Sequence, residues 1–322
     1  FFKFREFAAI AYSTFFFIML TLLSDHKSSN LVFRAILLGS IFSIFYIFYR
    51  FNIGLGNYTT TEGVMRYGNY EFVGINIVYC YSLSKLLSRP NDIILNAFLA
   101  LICFITVFTL ISHTSAMLGM LLSTAVILKI HYHNKRAKNL TLAFLLVSPI
   151  FFIMFFLMLD TSVITLRFTR IFSVDILNDP NVSWRLITWL HALSQMELSD
   201  IFFGVGWGYE LPVYFLNDFA YAEDGFEGLH NSLLFYFFHT GLFGTSLFLI
   251  LIISVYKKAF RACKIFQSSL LYCKLTGLLA ANIGILLFSL FNVVLEGPYM
   301  AIIFWVSLGL IYVYSDKKLL NI

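Results

Sequence analysis

"HNSLLFYFFHTGLFGTSLFLILIISVYKK", His230 to Lys258, decides the fold. From Ser232 to Tyr256 it carries no Asp, Glu, Lys or Arg. That exceeds the roughly twenty apolar residues a helix needs to cross a hydrocarbon core of about 30 Å. A polar pair, His230-Asn231, stands at one end and Lys257-Lys258 at the other. The same pattern recurs along the chain, which is 60% hydrophobic and only 12% charged, with a mean hydropathy of +0.84; soluble domains carry about a quarter charged residues. Nine spans are expected: Phe7–Leu23, Leu31–Tyr49, Phe72–Leu87, Ile93–Ile111, Ala116–Ile130, Leu140–Leu159, Ser232–Tyr256, Leu270–Leu295 and Tyr299–Tyr314. The fold class is all-α, a polytopic transmembrane helical protein.

Lys and Arg set the orientation, because short basic loops stay in the cytoplasm. Three connections are basic: Lys85 with Arg89; Lys129, Lys135, Arg136 and Lys138; and Lys257, Lys258, Arg261 and Lys264. With Lys317 and Lys318 they define the inner side. The stretch from Asp160 to His230 then lies outside. It holds ten acidic residues (Asp160, Asp175, Asp179, Glu197, Asp200, Glu210, Asp218, Glu223, Asp224, Glu227) and three basic ones, Arg167, Arg170 and Arg185. The net charge of +5 is therefore an inner excess over an acidic outer segment, and gives no support to nucleic-acid binding. Three parts follow: an N-terminal membrane bundle over residues 1–159, an outer loop over 160–231 that is partly helical, and a C-terminal membrane bundle over 232–322. Nine spans with an inner C-terminus put Phe1 outside, next to Lys3 and Arg5 and against the charge rule. Either earlier spans precede Phe1 or one helix is miscounted. No signal peptide is expected, since Phe7 to Leu23 is long enough to span and no small-residue cleavage site follows.

Chemistry is expected in the outer segment. The four cysteines fall in spans or an inner loop, so neither a disulfide nor a zinc spacing is expected outside. His131 and His133 read as a solvated inner face. No phosphate-cradling glycine loop is present. "NDPNVSWRLITWLHALSQMELSD" (Asn178–Asp200) reads as a turn and a helix lying along the membrane, with Trp184, Ile187, Leu190 and Leu193 on its apolar side and Arg185, Thr188, His191 or Ala192, and Gln195 on the other. By itself Arg185 reads as a surface ion pair. "FFGVGWGYE" (Phe202–Glu210) alternates Gly204, Gly206 and Gly208, a tight turn where backbone meets backbone or ligand. Then come His230-Asn231, nine residues, and Gly241-Leu-Phe-Gly244.

That order, an Arg-bearing aromatic helix, Gly-x-Gly, then His-Asn-x9-Gly-x-x-Gly, resembles the bacterial O-antigen ligase and polymerase family, with strong motifs from Trp184 to Gly244. "EGVMRYGNYEFVGIN" (Glu62–Asn76) resembles the family's earlier outer-loop arginine followed by a span. The resemblance implies that His230 and Arg185 are catalytic, that Asn231 supports them, and that Arg66, Arg167, Arg170 and His113 bind the lipid diphosphate. His113, in "ISHTSAML", occupies a turn where many members carry arginine, which tilts the expectation from ligase to polymerase.

The implied reaction moves an oligosaccharide from a polyisoprenyl-diphosphate donor to a sugar acceptor in the periplasm, at the bacterial inner membrane. The acceptor is another lipid-linked glycan for a polymerase or lipid A-core for a ligase. Membrane lipid and a chain-length regulator protein are the further partners implied, and no cofactor or metal is expected. The residue types suit the task. Arginine's planar fork binds phosphate oxygens in pairs and keeps its charge. Histidine, with an ordinary pKa of about 6.5, is available as a base near neutrality. Two other classes remain open at this point: a flippase of lipid-linked glycan, disfavoured by the lack of paired charges within spans, and a non-catalytic scaffold.

Overall fold

A computed structural model describes residues 2–23, 26–59, 64–88, 92–132, 139, 180–209, 229–265 and 270–316. Ten α-helices are numbered here among those residues: α1 Phe2–Leu22, α2 His26–Asn52, α3 Phe72–Ser88, α4 Ile93–Ile105, α5 Thr114–His131, α6 Pro180–Ser194, α7 Leu198–Phe203, α8 Ser232–Ile265, α9 Leu270–Ser289 and α10 Pro298–Tyr314. A π-helical turn, Thr106–Ile111, prolongs α4. A small antiparallel hairpin pairs β1 (Asn57–Thr59) with β2 (Val64–Arg66), Asn57 opposite Arg66. Five helical stretches are long and apolar enough to cross a membrane: Lys27–Asn52, Ile93–Ile111, Thr114–His131, Ser232–Ile265 and Leu270–Ser289. Ala8–Leu22, Phe72–Ser88 and Pro298–Tyr314 are shorter apolar helices. The all-α polytopic expectation is borne out. Eight of the nine expected spans coincide with helices, and the ninth, Leu140–Leu159, lies outside the described residues.

The bundle is built around α9, which packs on α5, α3 and α10. Hydrocarbon offers apolar side chains no less than a protein interior does, so close packing and polar contacts must supply the cohesion. Small residues supply the first. A Cβ on Gly284 would lie 2.3 Å from the Gly119 carbonyl oxygen, and one on Gly277 would lie 2.7 Å from the Tyr81 Cα. The helix backbones therefore touch. Asparagines supply the second. Asn76 Nδ2 donates to Ser123 Oγ (3.0 Å) and to the Ala281 carbonyl (3.2 Å), joining α3, α5 and α9. Asn282 Nδ2 donates to Ser307 Oγ (2.6 Å) and its Oδ1 accepts from the Tyr256 hydroxyl (2.6 Å), joining α9, α10 and α8.

Three local readings need correction. The span expected over Leu270–Leu295 ends as helix at Ser289, and residues 290–297 form a turn. Its apolar residues Val294 and Leu295 are buried as core, which is why they read as span. His131 is not on a solvated face: it is buried, with Nε2 3.2 Å from Ser84 Oγ and its ring edge-on to Tyr272. On α6 the inward face is Trp184, Thr188 and Ala192, whereas Ile187, Leu190 and Leu193 are exposed. Trp184 and Ile187 thus part company, and Thr188, expected on the polar side, is buried and satisfied by donating to the Trp184 carbonyl (2.9 Å).

Candidate functional site

Following the chain through the bundle, the starts of α3, α5, α8 and α10 and the ends of the π-turn and α9 meet at one end, with the β-hairpin. The Lys258–Asp316 ion pair (2.7 Å) and Lys85 mark the other end. All the described residues expected in the site lie at or beyond the first end.

His230 stands immediately before α8 in the left-handed backbone region, φ 47°. Few non-glycine residues adopt it, though His and Asn do so more readily than most, and such poses cost of the order of 1–3 kcal/mol and concentrate at functional turns. His230 is not the cap of α8. Asn231 is: its Oδ1 accepts from the Leu234 N–H (3.0 Å) and its carbonyl from the Phe235 N–H (2.9 Å). The turn before α8 is therefore closed by Asn231. His230 is half-buried and its ring meets the Trp184 ring edge to face, centroids 5.2 Å apart. Trp189 Nε1 donates to the Leu229 carbonyl (2.7 Å). Two tryptophans of α6 thus clamp residues 229–230 and carry Arg185, half-buried between them in sequence, to the same place.

Ser232, the first residue of α8, extends the site into the bundle. Its Oγ donates to the Asn292 carbonyl (3.2 Å) and accepts from the N–H groups of Val294 and Leu295 (3.1 Å each). Asn292 Nδ2 donates to Ser115 Oγ (2.7 Å), and Ser115 Oγ lies 2.8 Å from His113 Nδ1. With Asn292 occupying one lone pair of Ser115, the hydroxyl proton is available to His113 Nδ1, which would then carry its own proton on Nε2. A continuous polar chain thus joins the start of α8, where His230 sits, to the start of α5, where His113 sits. Both helix starts present positive dipole ends there. Arg66 is tied in at one remove. The next residue, Tyr67, donates its N–H to the Leu110 carbonyl (2.9 Å), which docks the hairpin on the π-turn just before His113.

Below His230 lies a second joint. Gly241 interrupts α8 with φ 61°, ψ −166°, bending the helix there. Against the bend sits the Gly-x-Gly turn: Val205 N–H donates to the Phe238 carbonyl (2.9 Å) and Gly206 N–H to the His239 carbonyl (3.3 Å). A Cβ on Gly204 would lie 2.2 Å from the His239 carbonyl carbon, and one on Gly241 2.4 Å from that of Phe202. The expectation of backbone against backbone is met, and the two glycine motifs prove to be two halves of one contact. Trp207 stacks on His239 (4.9 Å), whose Nδ1 is 2.8 Å from the Gly206 carbonyl oxygen.

His230, Arg185, Asn231, His113 and Arg66 are therefore gathered at one end of the bundle; Arg167 and Arg170 lie outside the described residues. Sequence reasoning missed Ser232, Ser115, Asn292 and the buried Glu296. A signal was available: "FNVVLEGP" (Phe291–Pro298) sets an asparagine and a glutamate in an apolar run before Gly-Pro, a poor continuation for a spanning helix.

Such a bundle, with five helical stretches long and apolar enough to cross a membrane, is that of a multi-pass membrane protein. Residues 98–249 match the family model described as "O-Antigen ligase", so the chain is similar to the O-antigen ligase and polymerase family over the stretch that holds His113, Arg185, His230 and both glycine motifs. The resemblance read from the sequence is borne out, and with it a glycan-transferring function of ligase or polymerase type. No curated protein matches the chain.

Proposed function

We propose that the chain is a periplasm-facing glycosyltransferase of the inner membrane that moves an oligosaccharide from a polyisoprenyl diphosphate to a sugar hydroxyl, with the elongating glycan as acceptor. The supporting observation is the placement of His230: Asn231 performs the capping, so the imidazole next to it is held at the helix start, by Trp184, without a capping role.

In this reading the acceptor oxygen attacks the anomeric carbon while His230 takes the hydroxyl proton. The bond from the anomeric carbon to the diphosphate oxygen breaks, and its electron pair leaves with the diphosphate. Negative charge grows on that leaving group, and cations and dipoles aimed at it act mainly on the transition state. Arg185 and Arg66 supply the cations, His113 a neutral donor, and the starts of α5 and α8 each a partial positive charge of about +0.5. Arg167 and Arg170 are assigned to the same diphosphate. The mechanism requires no metal, and chelation of purified protein should leave turnover unchanged.

The description of the matching family favours a second reading, in which the acceptor is lipid A-core and the protein is a ligase. Purified protein supplied with a lipid-linked donor and either acceptor separates the two. A ladder of lengthening chains on the lipid carrier is expected of a polymerase, and a single transfer to lipid A-core identifies a ligase. Folded protein that yields neither product overturns both. Orientation is tested by Gln195→Cys, because all four native cysteines are buried. A membrane-impermeant maleimide should label it from the periplasmic side.

A further inference from the structure

We infer that α7 is inserted into the acyl edge of the outer leaflet, so that residues 198–206 form a membrane wedge. Depth comes from its contact. Phe202 and Phe203 touch Gly241 backbone to backbone, and Gly241 lies inside the span Ser232–Ile265. Lys257 and Lys258, the first charges along α8 after Ser232, set the opposite bilayer edge by the charge rule, and Lys258 pairs there with Asp316. Seventeen residues of helix separate Lys258 from Gly241, about 25 Å at 1.5 Å per residue. A hydrocarbon core of about 30 Å therefore extends roughly 5 Å beyond Gly241, to the level of Phe238. The end of α7 sits at that depth.

Its surface agrees. Leu198 and Phe203 are about three-quarters exposed (75% and 74%), and Phe202 is 51% exposed. Beside them on α8, Leu242, Phe243, Leu247 and Ile250 are exposed along the span. In water such a patch would be a liability. Continuous with the lipid-facing side of a spanning helix, it takes acyl chains as its occupant. The polar groups of the wedge point to the same conclusion: the N–H groups of Val205 and Gly206 are satisfied by α8 carbonyls that the bend at Gly241 sets free, as backbone entering hydrocarbon requires. α6, clamped to Leu229 above the start of α8, sits higher, at headgroup level, with Ile187, Leu190 and Leu193 as its apolar face. The wedge thus descends from headgroup to acyl edge beneath His230, on the path a lipid-borne substrate must share.

The test is nitroxide depth measurement in vesicles of the full chain. Single cysteines replace Phe203 and Leu198, with Ile250→Cys as a mid-span lipid reference and Asn57→Cys on the hairpin as a polar one. The substituted side chains are exposed, so folding is not at stake. Expected is a ratio of oxygen to nickel-chelate collisions at Phe203 several-fold above that at Asn57 and approaching that at Ile250. Phe203 and Leu198 labels that collide with the nickel chelate as freely as the Asn57 label would overturn the inference. The outcome is independent of any glycan transfer, so it stands or falls apart from the proposed reaction.

Discussion

Two of the polar networks among the described residues of this bundle differ in how they end. The mid-bundle network, Asn76–Ser123–Ala281 with Asn282–Ser307–Tyr256, closes on itself among helix interiors, with Gly119, Gly277 and Gly284 bringing the backbones together. The outer network, Ser232–Asn292–Ser115–His113, is strung on helix starts and a turn, and has a histidine at or beside each end. A buried asparagine is thus no sign of chemistry by itself. What marks the outer network is that its groups stand at loop-borne helix ends, next to a left-handed histidine and two dipole ends, where a charged substrate can arrive.

Substitutions should separate the two networks. The largest loss is expected for His230→Ala, since a positioned base contributes roughly 10²–10⁴-fold; transfer measured at equal membrane expression is the check. Arg185→Lys follows, with a loss of about 10²–10³-fold, because a point charge cannot reproduce a paired fork on phosphate. Near-normal glycan chains in that variant would return Arg185 to an ion-pair role. Asn292→Ala leaves Ser115 Oγ and the Phe288 carbonyl without the amide that donates to both, a loss of about 1–3 kcal/mol. Turnover should fall roughly 10-fold, with the helical content unchanged by circular dichroism. Asn76→Ala should do the opposite: a stability loss of about 0.6 kcal/mol, the average for such bonds in membranes, with turnover per folded molecule intact. Equal effects of Asn76→Ala and Asn292→Ala on turnover would erase the distinction.

The spans were legible because a bilayer imposes one blunt requirement, about twenty apolar residues, and the chain meets it repeatedly. The start of α8 was read to the residue, since charge-free sequence begins abruptly at Ser232. Where apolarity outlasts the helix, the reading failed: Phe291, Val293, Val294 and Leu295 look like span but fill a turn. The helix of Trp184 failed for another reason. With apolar residues on more than half its circumference, periodicity cannot say which of them face the protein, and Trp184 turned in while Ile187 turned out. His230 and Arg185 were recognisable only through their spacing to the glycine motifs. The chain that ties His113 to the start of α8 was not readable at all, because Ser115, Asn292 and Ser232 lie far apart in sequence and meet only when α9 is in place.

The most direct test of the central claim is His230→Asn. Asparagine accepts the left-handed backbone and hydrogen-bonds well, but it cannot carry a proton away. The rate of transfer from a lipid-linked donor, measured with purified wild type, His230→Ala and His230→Asn, should show the two variants equally impaired, about 10²-fold or more. Restoration of transfer by His230→Asn would show that the histidine serves only to shape the turn, and would contradict the account.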